Sequence, residues 1–120
     1  MAKILSVDDS RSIRELVKAV LEKEGHDVAV AEDGVDALQV ARDDHFDLIL
    51  TDINMPNMSG ISFVSKLRRV EGYEKTPVVM ITTESSDFKK NKARAMGANG
   101  WLQKPFDADR LITAVNRLIG

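Results

Sequence analysis

Asp8 and Asp9, Asp52, Thr82 and Lys104 each close or directly follow a short apolar run of this chain. The set comprises carboxylates, one hydroxyl and one ammonium, with no cysteine and no histidine at hand. If the runs that end in Asp8-Asp9 and Asp52 lie side by side, three carboxylates converge. Like charges so placed repel, or raise a pKa, unless a cation neutralises them. A hard divalent ion suits an oxygen-only site, and Mg2+, which keeps several waters and takes few carboxylates, suits it better than Ca2+. Lys104, two strand spacings or about 10 Å from Asp52, can largely cross that gap with its side chain and set an ammonium beside a bound anion. Thr82, one spacing away, offers a hydroxyl.

The elements that must position these groups follow from hydrophobic periodicity. Short β-branched runs at 4–7, 28–31, 48–51, 78–82 and 100–103 read mostly as continuous apolar strands, expected to be buried on both faces. Between the first two, Ile13, Leu16, Val17, Val20 and Leu21 recur at helical spacing, with Ser12 and Glu15 placed as a capping box and Gly25 as a stop. Further helices are predicted at 35–42, 62–69, 87–96 closed by Gly97, and 107–119. Five βα units result. Parallel strands need right-handed crossovers, and helices on both faces of the sheet require the winding to reverse, so a doubly wound α/β sheet is expected. In such sheets ligands sit beyond the carboxyl ends of the strands near the switch point, where the polar endings fall.

Composition narrows the classes. The chain has 120 residues, 43% of them hydrophobic, which fits one compact domain over 1–120 with no linker, repeat or output domain. No cysteine means no disulfide, thiolate metal site or thiol nucleophile. A net charge of −2 provides no basic field for nucleic acid, and no apolar run is long enough to span a bilayer. A soluble, cytoplasmic, monomeric protein is expected.

The segments VDDS, LILTDINMPNMSG, VMITTES and LQKPF, in this order at the strand ends, resemble the response-regulator receiver domain over the whole chain. AEDGVDAL and NMPNM are similar to CheY-like single-domain chemotaxis regulators. The resemblance implies a flavodoxin-like fold of five strands and five helices in the order 2-1-3-4-5, an order for which CheY itself is the standard example. It implies that Asp52 accepts a phosphoryl group from a phosphohistidine of a sensor histidine kinase. It implies Mg2+ held by Asp9, Asp52 and the backbone carbonyl of Asn54, with Asp8 acting through a water. Lys104 would bind a phosphoryl oxygen, and Lys104-Pro105 resembles the family's cis peptide. Thr82 and the aromatic residue Trp101 would form the switch, although the family usually carries Tyr or Phe where this chain has Trp. The fourth helix, fifth strand and fifth helix would present the output face, around Lys89, Lys90, Trp101 and Gln103. Asn54 and Glu84 occupy positions that tune water attack, which implies slow self-hydrolysis, hastened by a phosphatase. A flagellar motor switch protein is the implied target. The chain is thus read as a phosphoacceptor that catalyses its own phosphotransfer rather than as an enzyme in the usual sense.

Plainer readings stand beside these. Asp8 or Asp9 alone could merely cap a helix, and Asp52 could be a turn residue, but neither explains why Thr82 and Lys104 end neighbouring strands. Lys89, Lys90, Lys92 and Arg94 fit a solvated helix face. Arg68 and Arg69 fit a helix C-terminus without further partners, and His26 and His45 fit solvated positions. Met55 and Met58 fit local packing. A phosphorelay intermediate or a receiver from a larger regulator is the alternative within the family. Outside it, a Mg2+-dependent phosphohydrolase of the haloacid dehalogenase type would need a second Asp where this chain has Asn54.

Overall fold

A computed structural model describes residues 1–83 and 86–119. Its elements in chain order are β1 (Lys3–Val7), α1 (Arg11–Lys23), β2 (Asp27–Ala31), α2 (Gly34–Asp43), β3 (Leu48–Thr51), α3 (Gly60–Leu67), β4 (Val78–Thr82), α4 (Asp87–Ala95), β5 (Gly100–Gln103) and α5 (Ala108–Ile119). The five strands are all parallel in the order β2-β1-β3-β4-β5, the flavodoxin-like arrangement expected.

Alternation along each strand sends side chains into two cores. Leu5, Ile49, Val78 and Met80 face α2, α3 and α4 through Leu38, Phe63, Leu67 and Ala93. Ile4, Leu48, Leu50, Val79 and Ile81 face α1 and α5 through Val17, Leu21, Leu111 and Val115. Burying each such Leu or Ile contributes roughly 1.5–3 kcal/mol, so the sheet is held rigidly between two helical layers. The inner strands β3 and β4 are buried along their whole length, as their continuous apolar runs predict. The edge strands depart from that expectation. β2 and β5 each have one side without a neighbouring strand, and Asp27, Val30 and Gln103 are exposed.

Several helix starts also differ from the periodicity reading. The cap of α1 is Ser10 rather than Ser12: Ser10 Oγ accepts from Ile13 N, and Glu15 pairs with Arg11 instead of closing a capping box. The cause lies in the loop, where Asp8 Oδ1 accepts from Ser10 N and so turns the chain into the helix one residue after Ser10. Helix α3 begins two residues earlier than expected because Ser59 caps it by accepting from Ser62 N. Gly60 can then enter the helix against the backbone of the β3–α3 loop.

Arg68 and the two histidines have more to do than the sequence suggests. The Arg68 guanidinium donates to the carbonyls of Tyr73, Thr76 and Gly97 and to Asn99 Oδ1, at 2.6–3.2 Å, which ties α3, the α3–β4 loop and the α4–β5 turn together. Gly97 has φ of 109°, and a side chain there would meet the Arg68 Nε at 2.8 Å, so the turn needs glycine on both counts. His26 is half-buried, with Nδ1 accepting from Ala2 N, and the His45 ring lies against Tyr73. Met55 and Met58 pack on the core as expected.

Candidate phosphoacceptor and metal site

The carboxyl ends of β1, β3 and β5 place the charged groups. Strands β1 and β3 are neighbours, and the chain leaves β1 toward β2 but β3 toward β4, so these two crossovers run in opposite directions and open a crevice between the strand ends. Asp8 and Asp9 follow β1, and Asp52 follows β3. Their backbones are locked to the sheet: Asp52 N donates to Val7 O at 2.9 Å, and Asp8 N donates to Ala31 O at 3.1 Å. Arg14, one helical turn into α1, adds a donor to Asp8 O at 2.7 Å.

One oxygen from each of Asp8, Asp9 and Asp52 lies within 4.8 Å of the others. Asp8 and Asp52 are buried and Asp9 is exposed, so the cluster has a floor and an open mouth. Asp52 is oriented by its own loop. Its Oδ1 accepts from Ile53 N at 2.7 Å and more weakly from Asn54 N at 3.4 Å, which leaves Oδ2 turned to the cluster. Lys104 reaches across β4 as the spacing predicts: Nζ donates to Asp8 Oδ2 at 2.7 Å and to Asp52 Oδ2 at 3.1 Å. The peptide Lys104-Pro105 is cis.

Electrostatics follow burial. Loss of water raises the Asp8 carboxyl above its ordinary value, a shift that the hydrogen bonds from Lys104 and Ser10 only partly offset. Burial lowers the Lys104 ammonium, but its bonds to Asp8 and Asp52 outweigh that and leave it raised overall. Three carboxylates therefore share one internal cation. This is an oxygen-only set with negative charge to spare, chemistry suited to a hard divalent ion and to an anion bound through it.

The other expected residues divide in two. Thr82 is fully buried at the end of β4, beside Gln103 of β5 in the sheet register. Asn54 is exposed at the rim, and Glu84 lies outside the described residues. Trp101 sits on β5, half-buried, with Lys90 Nζ 5.5 Å from its ring centre. Its indole nitrogen is buried without a hydrogen-bond partner among the described residues. Lys89 and Lys90 are half-buried on α4, and Gln103 is exposed. Arg14 and Gly60 are the residues near the site that sequence reasoning passed over. Arg14 carries no motif because it acts through a backbone carbonyl, and Gly60 closes the LILTDINMPNMSG segment but acts through the absence of a side chain, which residue type alone does not reveal.

Comparison with known proteins decides the kinship. A family profile for the response regulator receiver domain matches residues 4–116.

The chain belongs to the response-regulator receiver family.

The crystal structure of the chemotaxis response regulator CheY4 of Vibrio cholerae superimposes with a TM-score of 0.95 at 46% identity, covering 98% of both chains. The receiver domain of the sensor histidine kinase PA1611 of Pseudomonas aeruginosa, solved with a magnesium ion in its active-site cleft, superimposes with a TM-score of 0.91 at 28% identity. That match covers 99% of this receiver and 98% of the other. The transcriptional regulatory protein CpxR of Escherichia coli is 39% identical over 119 residues, and this receiver spans half of its length. Kinship and sheet order together make this a CheY-like receiver of two-component signalling.

Proposed function

We propose that Asp52 accepts a phosphoryl group from the phosphohistidine of a sensor histidine kinase, and that a partner reads the resulting change on α4, β5 and α5. The observation that carries this reading is the convergence of Asp8, Asp9, Asp52 and Lys104 at the switch point of the sheet. With Oδ1 of Asp52 held by two backbone N–H groups, Oδ2 is the oxygen free to attack phosphorus. The new O–P bond forms in line as the P–N bond of the donor breaks, and the departing imidazole nitrogen takes up a proton. Lys104, already at 3.1 Å from that oxygen, would follow the transferred group and neutralise one of its oxygens.

The donor set fits Mg2+, a fit supported by the magnesium in the PA1611 cleft. Asp9, Asp52 and the carbonyl of Asn54 would hold it, with Asp8 acting through a water. Bound there, the ion supplies neutralisation of phosphoryl charge. Catalysis otherwise amounts to positioning, which the two layers of core packing and the short backbone bonds to Val7 and Ala31 provide.

Thr82 would turn its hydroxyl to the phosphoryl group, and Trp101 would move into the space vacated. The unpartnered indole N–H supports this, because the observed conformation leaves a buried donor unsatisfied and so costs little to abandon. Lys89, Lys90, Trp101 and Gln103 would frame the output face, and a flagellar motor switch protein is the target suggested by the CheY4 likeness. Asn54 and Glu84 would limit water attack, leaving fast dephosphorylation to a phosphatase. The site would act in the cytoplasm, in a monomer. The half-length match to CpxR favours a second reading, in which such a receiver serves a longer regulator.

Asn54 stands where a haloacid-dehalogenase-type phosphohydrolase would need an acid, so steady phosphoester turnover is not expected. Intact mass and peptide mapping after incubation with acetyl phosphate and Mg2+ test the reading. One phosphoryl group on Asp52, lost without Mg2+ and in Asp52→Asn, is the expected result. No modification by acetyl phosphate or by a phosphorylated histidine kinase, or equal modification of Asp52→Asn, would overturn it.

A further inference from the structure

Helix α4 differs in charge from the chain that carries it. Its nine residues hold Lys89, Lys90, Lys92 and Arg94 against the single acid Asp87, in a protein of net charge −2. These cations divide between two surfaces. Lys90 and Arg94 line a small cavity with Trp101, on the β5 side. Lys89 and Lys92 line a separate groove of about 340 Å³ between α4 and α3.

That second groove is apolar where apolar side chains are costly. Phe88 is 74% exposed and Met96 is 39% exposed, and both border it. Phe88 is the one aromatic among the large apolar side chains exposed in the described residues. Leaving such a ring in water forgoes the hydrophobic stabilisation that burial would supply. Ile61 of α3 lies along the groove and packs on the core beneath it, and Ser62 and Ser65 add hydroxyls on the α3 side. At one end the groove reaches Ile53 and Asn54, the two residues after Asp52.

We propose that this α3–α4 groove, which adjoins the α4–β5–α5 face along Lys89, is a docking site for an acidic amphipathic helix of a partner protein. Phe88 and Met96 are eight residues apart on α4, about 12 Å along its axis. A partner helix laid in the groove meets them with apolar residues about two turns apart, the spacing of helix-in-groove recognition. Lys92, four residues from each, lies between them on the same face, so the partner's apolar positions bracket a carboxylate that pairs with it. A second copy of this chain is a poor occupant, since a two-fold contact through the groove would set Lys89 and Lys92 against themselves. The docking rests on the groove as it stands, not on phosphorylation of Asp52, so it survives if the phosphoacceptor reading fails.

Amide and methyl spectra of the isotope-labelled full chain, titrated with a designed peptide of about four helical turns, test it. The peptide carries Leu about two turns apart on one face with Glu between and around them, and a control replaces each Glu by Lys. Perturbed signals at Ile61, Phe88, Lys92 and Met96, with Trp101 and Arg117 unmoved, are expected. Phe88→Ser and Lys92→Glu, both surface changes, should each weaken binding roughly tenfold. Higher salt should weaken it further. Four results would overturn the proposal: no binding, perturbations centred on Trp101, equal binding of the Lys peptide, or wild-type affinity in both variants. Uptake of the chain by anionic phospholipid vesicles that Phe88→Ser and Lys92→Glu abolish, with no peptide binding, would reassign the groove to a membrane surface.

Discussion

Lys104 Nζ lies 2.7 Å from Asp8 Oδ2 although 96 positions separate the two residues, and the side chains at both ends are almost wholly buried. The ammonium therefore stands where a divalent ion would otherwise do its neutralising. Lys104→Met leaves the buried Asp8 carboxylate without its cation. Removing one partner of such a pair costs about 3–5 kcal/mol, so metal-free Lys104→Met should unfold at clearly lower denaturant. The same variant should bind Mg2+ more tightly, because the competing positive charge is gone, and Mg2+ should restore much of the lost stability. Denaturation with and without Mg2+ checks both. An unchanged metal-free midpoint would mean that the bridge contributes nothing.

Asp8 gives the site an unusual pH dependence. Its folded pKa is raised, by burial above all, so the folded state holds the proton that the unfolded state has released. For an acid shifted upward, stability is greatest below the unfolded value of 3.8 and declines as pH rises through the folded value. Comparison with metal-free Asp8→Asn isolates this contribution from the other carboxylates. Wild type should lose ground to the variant as pH climbs above 3.8, until the folded carboxyl has ionised. Saturating Mg2+ should reverse the trend, since the ion favours the ionised carboxylate. A stability difference that stays flat with pH would remove Asp8 as its source.

The sequence carried the fold and the charged cluster because both are written in residue type and order. Continuous apolar runs place β3 and β4 in the interior, and a polar residue at the end of each run marks the carboxyl edge of the sheet. What it did not carry depends on distance across the fold. The Ser10 cap is set by Asp8 turning back on the loop, which a capping-box spacing does not register. Arg68 looks like any cation at a helix end, and only the folding of the α3–β4 loop and the Gly97 turn onto it supplies its four acceptors.

Arg68 should prove structural. It is partly buried, its guanidinium lowered in pKa by loss of water, and it satisfies three carbonyls from two segments. Lysine offers a point charge instead of a planar fork and cannot reach them together. Arg68→Lys should destabilise by about 2–3 kcal/mol, the scale of hydrogen bonds to a charged group. Amide exchange should quicken first around Thr76, Gly97 and Asn99. Uniformly quickened exchange, or none, would deny the clamp a local role.

Gly60 links packing to the site most directly. A β-carbon there would sit 1.9 Å from the Asp52 carbonyl oxygen and 2.9 Å from Ile53 Cα, while Gly60 N already donates to Ile53 O at 2.7 Å. The obstacles are backbone atoms, so no rotamer change relieves them. Either α3 moves away from the loop, or the loop moves and carries Asp52 from the Ile53 and Asn54 amides that aim its carboxylate. Gly60→Ala should cost about 3 kcal/mol, at the upper end of overpacking penalties. It should also weaken Mg2+ binding and slow phosphoryl uptake while the variant remains folded. Gly34→Ala provides the contrast, because the added carbon there would meet only the flexible Met58 side chain at 2.9–3.0 Å. If the two variants lost Mg2+ affinity equally, the close approach of Gly60 to Asp52 would not be what holds the carboxylate in place.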